Sequence, residues 1–261
     1  MTTPSPTEWN VLLTRPAHQC GELKRLFENY NATVFIQPTI KILPPDDWRD
    51  VDLAIDSVFG CDDLVFASSN GVLAFFDRVK FLFSENFEIY TRNLPKIIAT
   101  GPGTAESLAS YGVTDVKIPN ETYDAEGIVK LLALQNVAGK KVMIVRGNRG
   151  REVLPDELRR LGADVRQVTV YQSIDLTEPS QEIASLLQCG KIHWVTVTSS
   201  AIGRSLVRMF GDMLRQTKLA SISPITSQTL CECGFPPAVE ASEATMPALV
   251  DAVVESASRK R

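Results

Sequence analysis

The sequence contains two copies of one pattern, and one copy is split around the other. Residues 63–70 (DLVFASSN) are echoed by residues 193–200 (HWVTVTSS), where an apolar run ends in small polar residues. Residues 142–146 (VMIVR), however, have their counterpart near the N-terminus, in residues 11–15 (VLLTR). Two domains joined end to end cannot produce this order. The order predicts one domain inserted into another, with a ligand cleft between them.

Short apolar runs alternate with helical patterns, which is typical of βαβ units and a parallel sheet. After the first strand, Leu23 and Phe27 fall on one face of a helix. After its counterpart, Leu154 and Leu158 are placed the same way, and Gly162 predicts a left-handed helix end. Further strands are predicted at residues 64–67, 97–100, 116–119, 195–197, 220–222 and 238–240. The pattern predicts two flavodoxin-like α/β domains, each with a parallel sheet.

Two extended segments lie where the order of the repeat changes, at residues 32–43 and 163–174. Both are longer than a sheet strand needs to be. We therefore expect them to run between the domains as a two-strand hinge that allows the domains to close. The inserted domain is then residues 38–173, and the discontinuous domain is residues 1–37 plus 174–261.

Size, composition and charge restrict the partners of the chain. Its 261 residues suit two α/β units, and 44% hydrophobic with 22% charged residues is ordinary for a globular protein. A net charge of −4 provides no global positive field, so nucleic acid is not expected as a partner. No apolar run approaches the roughly 18 residues of a membrane helix, so no membrane partner is expected.

The N-terminus and the cysteines indicate a cytoplasmic chain. Residues 1–8 lack the basic region and apolar core of a signal peptide, and we expect an unstructured lead-in there. The 5 cysteines are odd in number and irregularly spaced. The pair Cys231 and Cys233 does not have the spacing of a zinc or redox motif, so no metal site is expected. This usage is typical of a reducing compartment.

Small polar residues and glycines recur where the predicted strands end and the next helices begin. In open parallel sheets ligands bind at this edge, where helix N-termini direct free amide groups. The candidate binding residues at these positions are Ser68, Ser69, Asn70, Gly101, Gly103, Thr104, Ser199, Ser200, Thr226 and Ser227. Any one of them could simply cap a helix. Their recurrence in both copies indicates a binding surface.

Cations also follow the strands. Residues 146–151 (RGNRGR) place three arginines and two glycines just after a strand, which would suit either an anion clamp or a solvated loop. Arg146 and its counterpart Arg15 are therefore candidate anion ligands. Residues 101–103 (GPG) begin like a dinucleotide fingerprint but lack the third glycine, so a nucleotide-dependent enzyme is a weaker alternative.

No serine nucleophile elbow, metal-ligand spacing or carboxylate pair is recognisable in the sequence. The chain resembles the uroporphyrinogen-III synthase family in two respects. It has a twice-repeated α/β unit with one copy inserted into the other, and it has Thr-Val-Tyr-Gln at residues 169–172 on the return hinge strand. The resemblance runs over nearly the whole chain, from residues 11–15 to residues 243–247 and the terminal helix. It is carried by order and spacing rather than by any one motif.

The resemblance implies a cyclising hydro-lyase of haem and other tetrapyrrole biosynthesis. Such an enzyme converts linear hydroxymethylbilane into uroporphyrinogen III, inverts ring D and releases water, without a cofactor. Loss of the hydroxyl gives an azafulvene, and attack by the substituted carbon of the last ring gives a spiro intermediate that rearranges and closes. The eight substrate carboxylates suit helix N-termini. We expect a cytoplasmic monomer with this small-molecule substrate as its partner.

The resemblance also suggests roles for individual residues. Tyr171 matches the hinge-proximal tyrosine of the family and is the candidate group that protonates or hydrogen-bonds the departing hydroxyl. The alternative is that Tyr171 only packs on the hinge. Ser69, Thr104, Ser200 and Thr226 match further binding positions.

One departure from the family pattern and one competing hypothesis leave alternatives open. Ser223 stands where the family usually has glycine, which predicts altered backbone contact from that loop. The competing functional hypothesis is a catalytically inactive, hinged, two-domain protein that binds a small molecule.

Overall fold

The computed structural model describes residues 9–120 and 122–258. The predicted lead-in at residues 1–8 lies outside the described residues. In chain order the strands and α-helices are β1 (Trp9–Leu13), α1 (Gly21–Glu28), β2 (Ala32–Ile36), β3 (Ile40–Leu43), α2 (Arg49–Ser57), β4 (Asp63–Phe66), α3 (Ser69–Leu82), α4 (Phe87–Arg92), β5 (Lys96–Ala99), α5 (Pro102–Ala109), β6 (Val116–Lys117), α6 (Ala125–Ala133), β7 (Lys141–Gly147), α7 (Val153–Arg160), β8 (Asp164–Asp175), α8 (Gln181–Gln188), β9 (Trp194–Val197), α9 (Ser200–Phe210), β10 (Lys218–Ser221), α10 (Pro224–Glu232), β11 (Val239–Glu240) and α11 (Met246–Ser258).

The chain forms two compact units. The discontinuous unit comprises Met1–Lys41 and Ile174–Arg261, and the inserted unit comprises Ile42–Ser173. The chain leaves the first unit within β3 and returns within β8, and these two strands are neighbours in one sheet. Among the described residues, no helix is both long and apolar enough to cross a membrane.

The sheet of the discontinuous unit has the strand order β11-β10-β9-β1-β2, and all of its pairs are parallel. Numbered by their occurrence within this unit, the strands follow the order 2-1-3-4-5. This is the flavodoxin-like order, in which the direction of progression reverses beside the first strand.

The sheet of the inserted unit has the order β3-β8-β7-β4-β5-β6, and the four pairs from β8 to β6 are parallel. With β7 taken as the first strand, the run from β8 to β6 repeats the order of the other sheet. The inserted copy is therefore a circular permutation of the same fold, with β3 added at its edge. This permutation explains the split repeat, and the predicted α/β fold class is confirmed.

The two predicted hinge segments differ from each other in structure. All but the first of residues 163–174 fall within the single strand β8 (Asp164–Asp175), as predicted, whereas residues 32–43 are divided into β2 and β3. The division lies beside Pro38, which has no amide hydrogen to continue a ladder. On either side of it, the Gln37 and Thr39 amides donate to carbonyls of the β1 region at 3.0 and 3.1 Å. The prediction of one uninterrupted strand there was wrong.

Both faces of the inserted sheet are buried, as parallel sheets require. Leu64 and Phe66 of β4 pack into one cluster with residues of α2 and α3. Val65, between them, points to the other face and packs with Ile128 of α6 and Leu158 of α7. Each such side chain contributes about 1.5–3 kcal/mol by burial. With both faces covered, the ends of the strands are left for a ligand.

Candidate active site

A pocket of about 170 Å³ opens in the inserted unit, beyond the carboxyl ends of β4, β5 and β7. Its lining includes Ser68 and Thr100 after β4 and β5, and Gly147 at the end of β7. The chain order reverses between β7 and β4, so this is the topological switch point of the sheet. Ligands of doubly wound sheets bind at such points, which makes this pocket the candidate active site of the inserted unit.

Tyr171 lies on β8 at one side of the pocket, with its ring directly against Gly147. A Cβ atom added at Gly147 would stand 2.4 Å from Cζ of Tyr171. The β7–β8 register shifts at this point, because Arg146 pairs with Thr169 whereas Gly147 pairs with Tyr171. Such a bulge redirects a side chain next to a site. Gly147 and the bulge together determine where the phenol lies.

The hydroxyl of Tyr171 lies 3.1 Å from Oγ of Ser68. Ser68 is also the N-cap of α3, and its Oγ accepts a hydrogen bond from the Gly71 amide at 3.1 Å. Because a serine hydroxyl has one hydrogen and two lone pairs, Ser68 can accept from Gly71 and donate to the tyrosine at the same time. In that arrangement the phenolic hydrogen of Tyr171 is available to a ligand.

Asn148 fixes the backbone on both sides of the Tyr171 peptide. Its amide N–H donates to the Tyr171 carbonyl at 3.1 Å. Its side-chain Oδ1 accepts from the Ser173 amide at 2.8 Å. The tyrosine is thus held through its ring, its hydroxyl and its backbone.

Arg146 faces the same pocket but is already paired within the inserted unit. Its Nη1 donates to Oε1 of Gln167 at 2.6 Å and to Oε1 of Glu152 at 2.8 Å. Hydrogen bonding from Gln167 and the nearby Arg146 charge hold the pKa of the Glu152 carboxyl below its usual value. A Cβ at Gly150, where φ is +156°, would stand 2.4 Å from Nη2 of Arg146. Arg146 therefore organises the loop after β7.

A second ion pair spans the rim of the pocket. Arg151, in the loop after β7, donates from Nη1 and Nη2 to the two carboxylate oxygens of Glu126 at 2.5 and 2.7 Å. Glu126 lies in the first turn of α6, whose N-cap Asp124 accepts from the Gly127 amide at 2.8 Å. The hydrogen bonds from Arg151 hold the pKa of the Glu126 carboxyl below its usual value.

The other candidates of the inserted unit lie around the start of α5. Ser69 donates from Oγ to the Gly103 carbonyl at 3.0 Å, linking the N-termini of α3 and α5. Gly101 is the N-cap of α5 and provides no side-chain cap, while a Cβ there would stand 2.9 Å from Cβ of Tyr123. Thr104 is buried, and Asn70 is half-buried in the first turn of α3.

The discontinuous unit repeats this arrangement with one difference. Ser199 caps α9 by accepting from the Ile202 amide at 3.2 Å, as Ser68 caps α3. Ser200 donates to the Ile225 carbonyl at 3.4 Å, the counterpart of the bond made by Ser69. Ser223, in the position of Gly101, does provide a cap: its Oγ accepts from the Thr226 amide at 3.4 Å.

Several candidates of the discontinuous unit already have partners within it. Thr226 is buried, and the Ser227 hydroxyl contacts Oε2 of Glu240 and, at 2.5 Å, Oγ of Ser221. Arg15 directs Nη1 towards Sδ of Met246 at 3.0 Å, and burial lowers the pKa of its guanidinium. Their binding roles stay predictions.

Of the candidate residues predicted from sequence, Ser68, Arg146 and Tyr171 line one pocket. Sequence reasoning missed Gly147 and Asn148 as supports of the tyrosine, and Glu126 as the partner of Arg151. The two glycines within residues 146–151 were the signal that could have identified Gly147. Across residues 9–120 and 122–258, no group of three or more His, Cys, Asp or Glu side chains is placed to hold a metal ion.

Comparisons with known proteins match one family over most of the chain. The family model described as uroporphyrinogen-III synthase HemD matches residues 21–251. A uroporphyrinogen-III synthase from Synechococcus elongatus is 29% identical over 252 residues, covering 93% of this chain and 93% of that protein. The Escherichia coli protein of the same name is 28% identical over 207 residues, covering 79% and 82%.

Solved structures with the same fold include two from this group of proteins. A mutant uroporphyrinogen III synthase from Thermus thermophilus matches with a TM-score of 0.66 at 13% identity, covering 97% of this chain and 100% of that one. The uroporphyrinogen-III synthetase of Helicobacter pylori matches with a TM-score of 0.56 at 17% identity, covering 97% and 100%. At these identities the likeness concerns the fold alone.

Proposed function

The chain belongs to the uroporphyrinogen-III synthase family, and from this premise we propose that it is a cofactor-independent hydro-lyase that closes hydroxymethylbilane with inversion of ring D. It is an enzyme of tetrapyrrole biosynthesis, acting on a small-molecule tetrapyrrole. The observation that carries the proposed reaction is the position of the Tyr171 phenol in a pocket at the switch point, with its hydroxyl 3.1 Å from Oγ of Ser68.

In the proposed reaction, Tyr171 is the general acid for loss of the hydroxyl. As the carbon–oxygen bond breaks, the pyrrole nitrogen supplies electrons and the phenolic proton converts the departing hydroxide into water, which leaves an azafulvenium cation beside the phenolate. Transfer of the pyrrole N–H proton to the phenolate then gives the neutral azafulvene and restores the phenol. The Ser68 hydrogen bond and the N-terminus of α3 both favour the negative charge that develops on the phenol oxygen. Proton transfer by a positioned side chain typically contributes about 10²–10⁴-fold to a rate.

The second task is conformational, because the bilane closes without inversion when it is unassisted. The substituted carbon of ring D must be held against the azafulvene carbon to form the spiro intermediate. Positioning of two reacting groups can supply about 7–11 kcal/mol of a barrier. The support of the tyrosine by Gly147, Asn148 and Ser68 suits an enzyme that works by such positioning.

The substrate carboxylates are proposed to meet helix N-termini of both units, where partial positive charge and free amides favour anions. The proposed binding residues are Arg15, Ser68, Ser69, Asn70, Gly101, Gly103, Thr104, Ser199, Ser200, Thr226 and Ser227. Arg146, which was predicted with them, is proposed to act indirectly by holding the loop after β7 through Glu152 and Gln167. The exposed Gly103 at the start of α5, with no side-chain cap on that helix, supports this most directly.

A cytoplasmic monomer is part of the proposal. All of the cysteines are free thiols, which suits a reducing compartment.

The test is to generate hydroxymethylbilane in situ, add the protein, oxidise the product and separate the isomers. We expect type III uroporphyrin from the wild type, and a rate about 10²–10³-fold lower from Tyr171→Phe. The matched control is Tyr30→Phe, which changes an exposed phenol of the discontinuous unit. Type I product alone from the wild type would refute the proposal, and product binding without turnover would favour the inactive binding protein.

A further inference from the structure

We propose that the pocket of the inserted unit is a subsite for one carboxylate-bearing side chain of the substrate, in which Arg151 binds the carboxylate. Before the substrate binds, the carboxylate of Glu126 takes the same position on Arg151. This inference rests on the proposed function. It assigns binding to a different arginine from the one that the sequence indicated.

The lining of the pocket suits a short acidic arm. Ile128, Ile144 and Leu154 form apolar wall, which suits methylene groups, and the guanidinium of Arg151 stands at the rim. Its volume of about 170 Å³ exceeds the roughly 150 Å³ of a cavity that accepts benzene. An acetate or propionate arm of a pyrrole has this combination of apolar stem and charged end.

Arg146 cannot be the anion ligand of this pocket without losing its own partners. Its side chain is only 10% exposed and is engaged by Glu152 and Gln167. A substrate carboxylate therefore has little access to the Arg146 guanidinium, and an exchange there would also cost the hydrogen bond to Gln167. The side chain of Arg151, by contrast, is 46% exposed. Arg149 also lines the pocket, and between Arg146 and Arg151 it is Arg151 that can exchange partners.

The carboxylate of Glu126 already shows the geometry that a substrate carboxylate would adopt. Two parallel N–H···O bonds join it to Arg151, which is the bidentate arrangement that guanidinium groups offer to carboxylates. Glu126 is 45% exposed and belongs to the first turn of α6. When a substrate carboxylate takes Arg151, the released Glu126 remains hydrated and near a helix N-terminus, which stabilises its charge. The exchange thus leaves neither carboxylate buried and unpaired.

This arrangement makes Glu126 a competitor of the substrate, so its removal strengthens binding. We expect Glu126→Gln to lower KM about two- to five-fold with kcat changed less than two-fold. We expect Arg151→Gln to raise KM roughly ten-fold, and Arg151→Lys to restore part of that loss because it keeps the charge but not the fork. The matched control is Glu157→Gln, which breaks another carboxylate–arginine pair, with Arg160, on the exposed face of α7.

Steady-state kinetics with isomer analysis of the product measure these effects. Thermal melts with and without uroporphyrin III, the stable oxidised form of the octacarboxylate product, give a readout independent of turnover. The ligand-induced shift in melting temperature should be larger for Glu126→Gln than for wild type. A wild type that makes no type III product refutes the proposed function itself. An active wild type with an unchanged or raised KM in Glu126→Gln, and a melt confirming its fold, overturns only the subsite.

Discussion

Gly147→Ala separates the placement of the tyrosine from the stability of the fold. The added Cβ would stand 2.4, 2.7 and 2.8 Å from Cζ, Cε2 and Oη of Tyr171. Ordinary carbon–carbon contacts are about 3.5–4.0 Å, so the ring must move by about 1 Å. A displacement of that size is enough to break the 3.1 Å contact with Ser68, because hydrogen bonds are lost beyond about 3.5 Å.

The two consequences are read by different measurements. Loss of one hydrogen bond costs about 1 kcal/mol and accommodation of the methyl group about 1–3 kcal/mol, while replacing glycine by alanine gains about 0.4–1 kcal/mol from the unfolded chain. The net loss of about 1–3 kcal/mol should lower the melting temperature by roughly 2–12 °C, which a melt detects directly. Misplacement of a catalytic group by about 1 Å, in contrast, can cost 10²-fold in rate.

The assay is the rate of type III formation beside a thermal melt of the same preparation. Gly21→Ala is the control, because its Cβ would meet nothing within 4 Å and α1 lies in the other unit. We expect Gly147→Ala to lose about 10²-fold in kcat and the control to lose none. A Gly147→Ala protein with wild-type kcat would refute the claim that this contact places the phenol.

Three further measurements address the cap, an ion pair and the domain division. Ser68→Ala and Ser199→Ala each remove an N-cap and should each cost about 1 kcal/mol of unfolding free energy. Only Ser68→Ala should lower kcat, because only Ser68 contacts the phenol of Tyr171. Equal kcat values would show that Ser68 does not assist the tyrosine. Hydrogen bonding from Arg78 lowers the pKa of Asp52 in the folded protein. The stability that Asp52 contributes is therefore present above its unfolded pKa of about 3.9 and is lost as pH falls. Urea titration should show Asp52→Asn to be less stable than wild type by about 1 kcal/mol at pH 7 and equal to it near pH 2. Residues 38–173 expressed alone should unfold cooperatively, because a domain has its own hydrophobic core. A non-cooperative melt would contradict the prediction that they form one domain.

Most of the sheet could be predicted because its strands are short apolar runs with fixed spacing. The strands predicted at residues 64–67 and 195–197 correspond to β4 and β9 within one residue at each end. The helix α4 had no comparable signal: it has six residues, of which only Tyr90 is buried. The alternating pattern of residues 32–43 continues across Pro38 and predicts one strand, but the missing amide hydrogen of the proline interrupts it.

The site was predictable only in part, because strand ends can be located from sequence whereas side-chain pairing cannot. Ser68 and Tyr171 were identified separately, and their hydrogen bond depends on a register shift that alternation does not reveal. The pair of Glu126 and Arg151 joins a helix start to a loop 25 residues away. Such a pair depends on the three-dimensional placement of both elements, which a charge pattern does not encode.

The permuted order of the sheets also determines when each can form during synthesis. Asn10 of β1 and His193, which precedes β9, are 183 residues apart, yet their backbones are hydrogen-bonded. In the inserted unit, the corresponding contact of β4 with β7 joins Asp62 and Lys141, only 79 residues apart. At about 5–20 residues per second, β1 waits roughly 10–40 s on the ribosome for its inner neighbour. The inserted sheet is thus completed first, and β1 with β2 remains an open strand pair until β9 arrives to cover its edge.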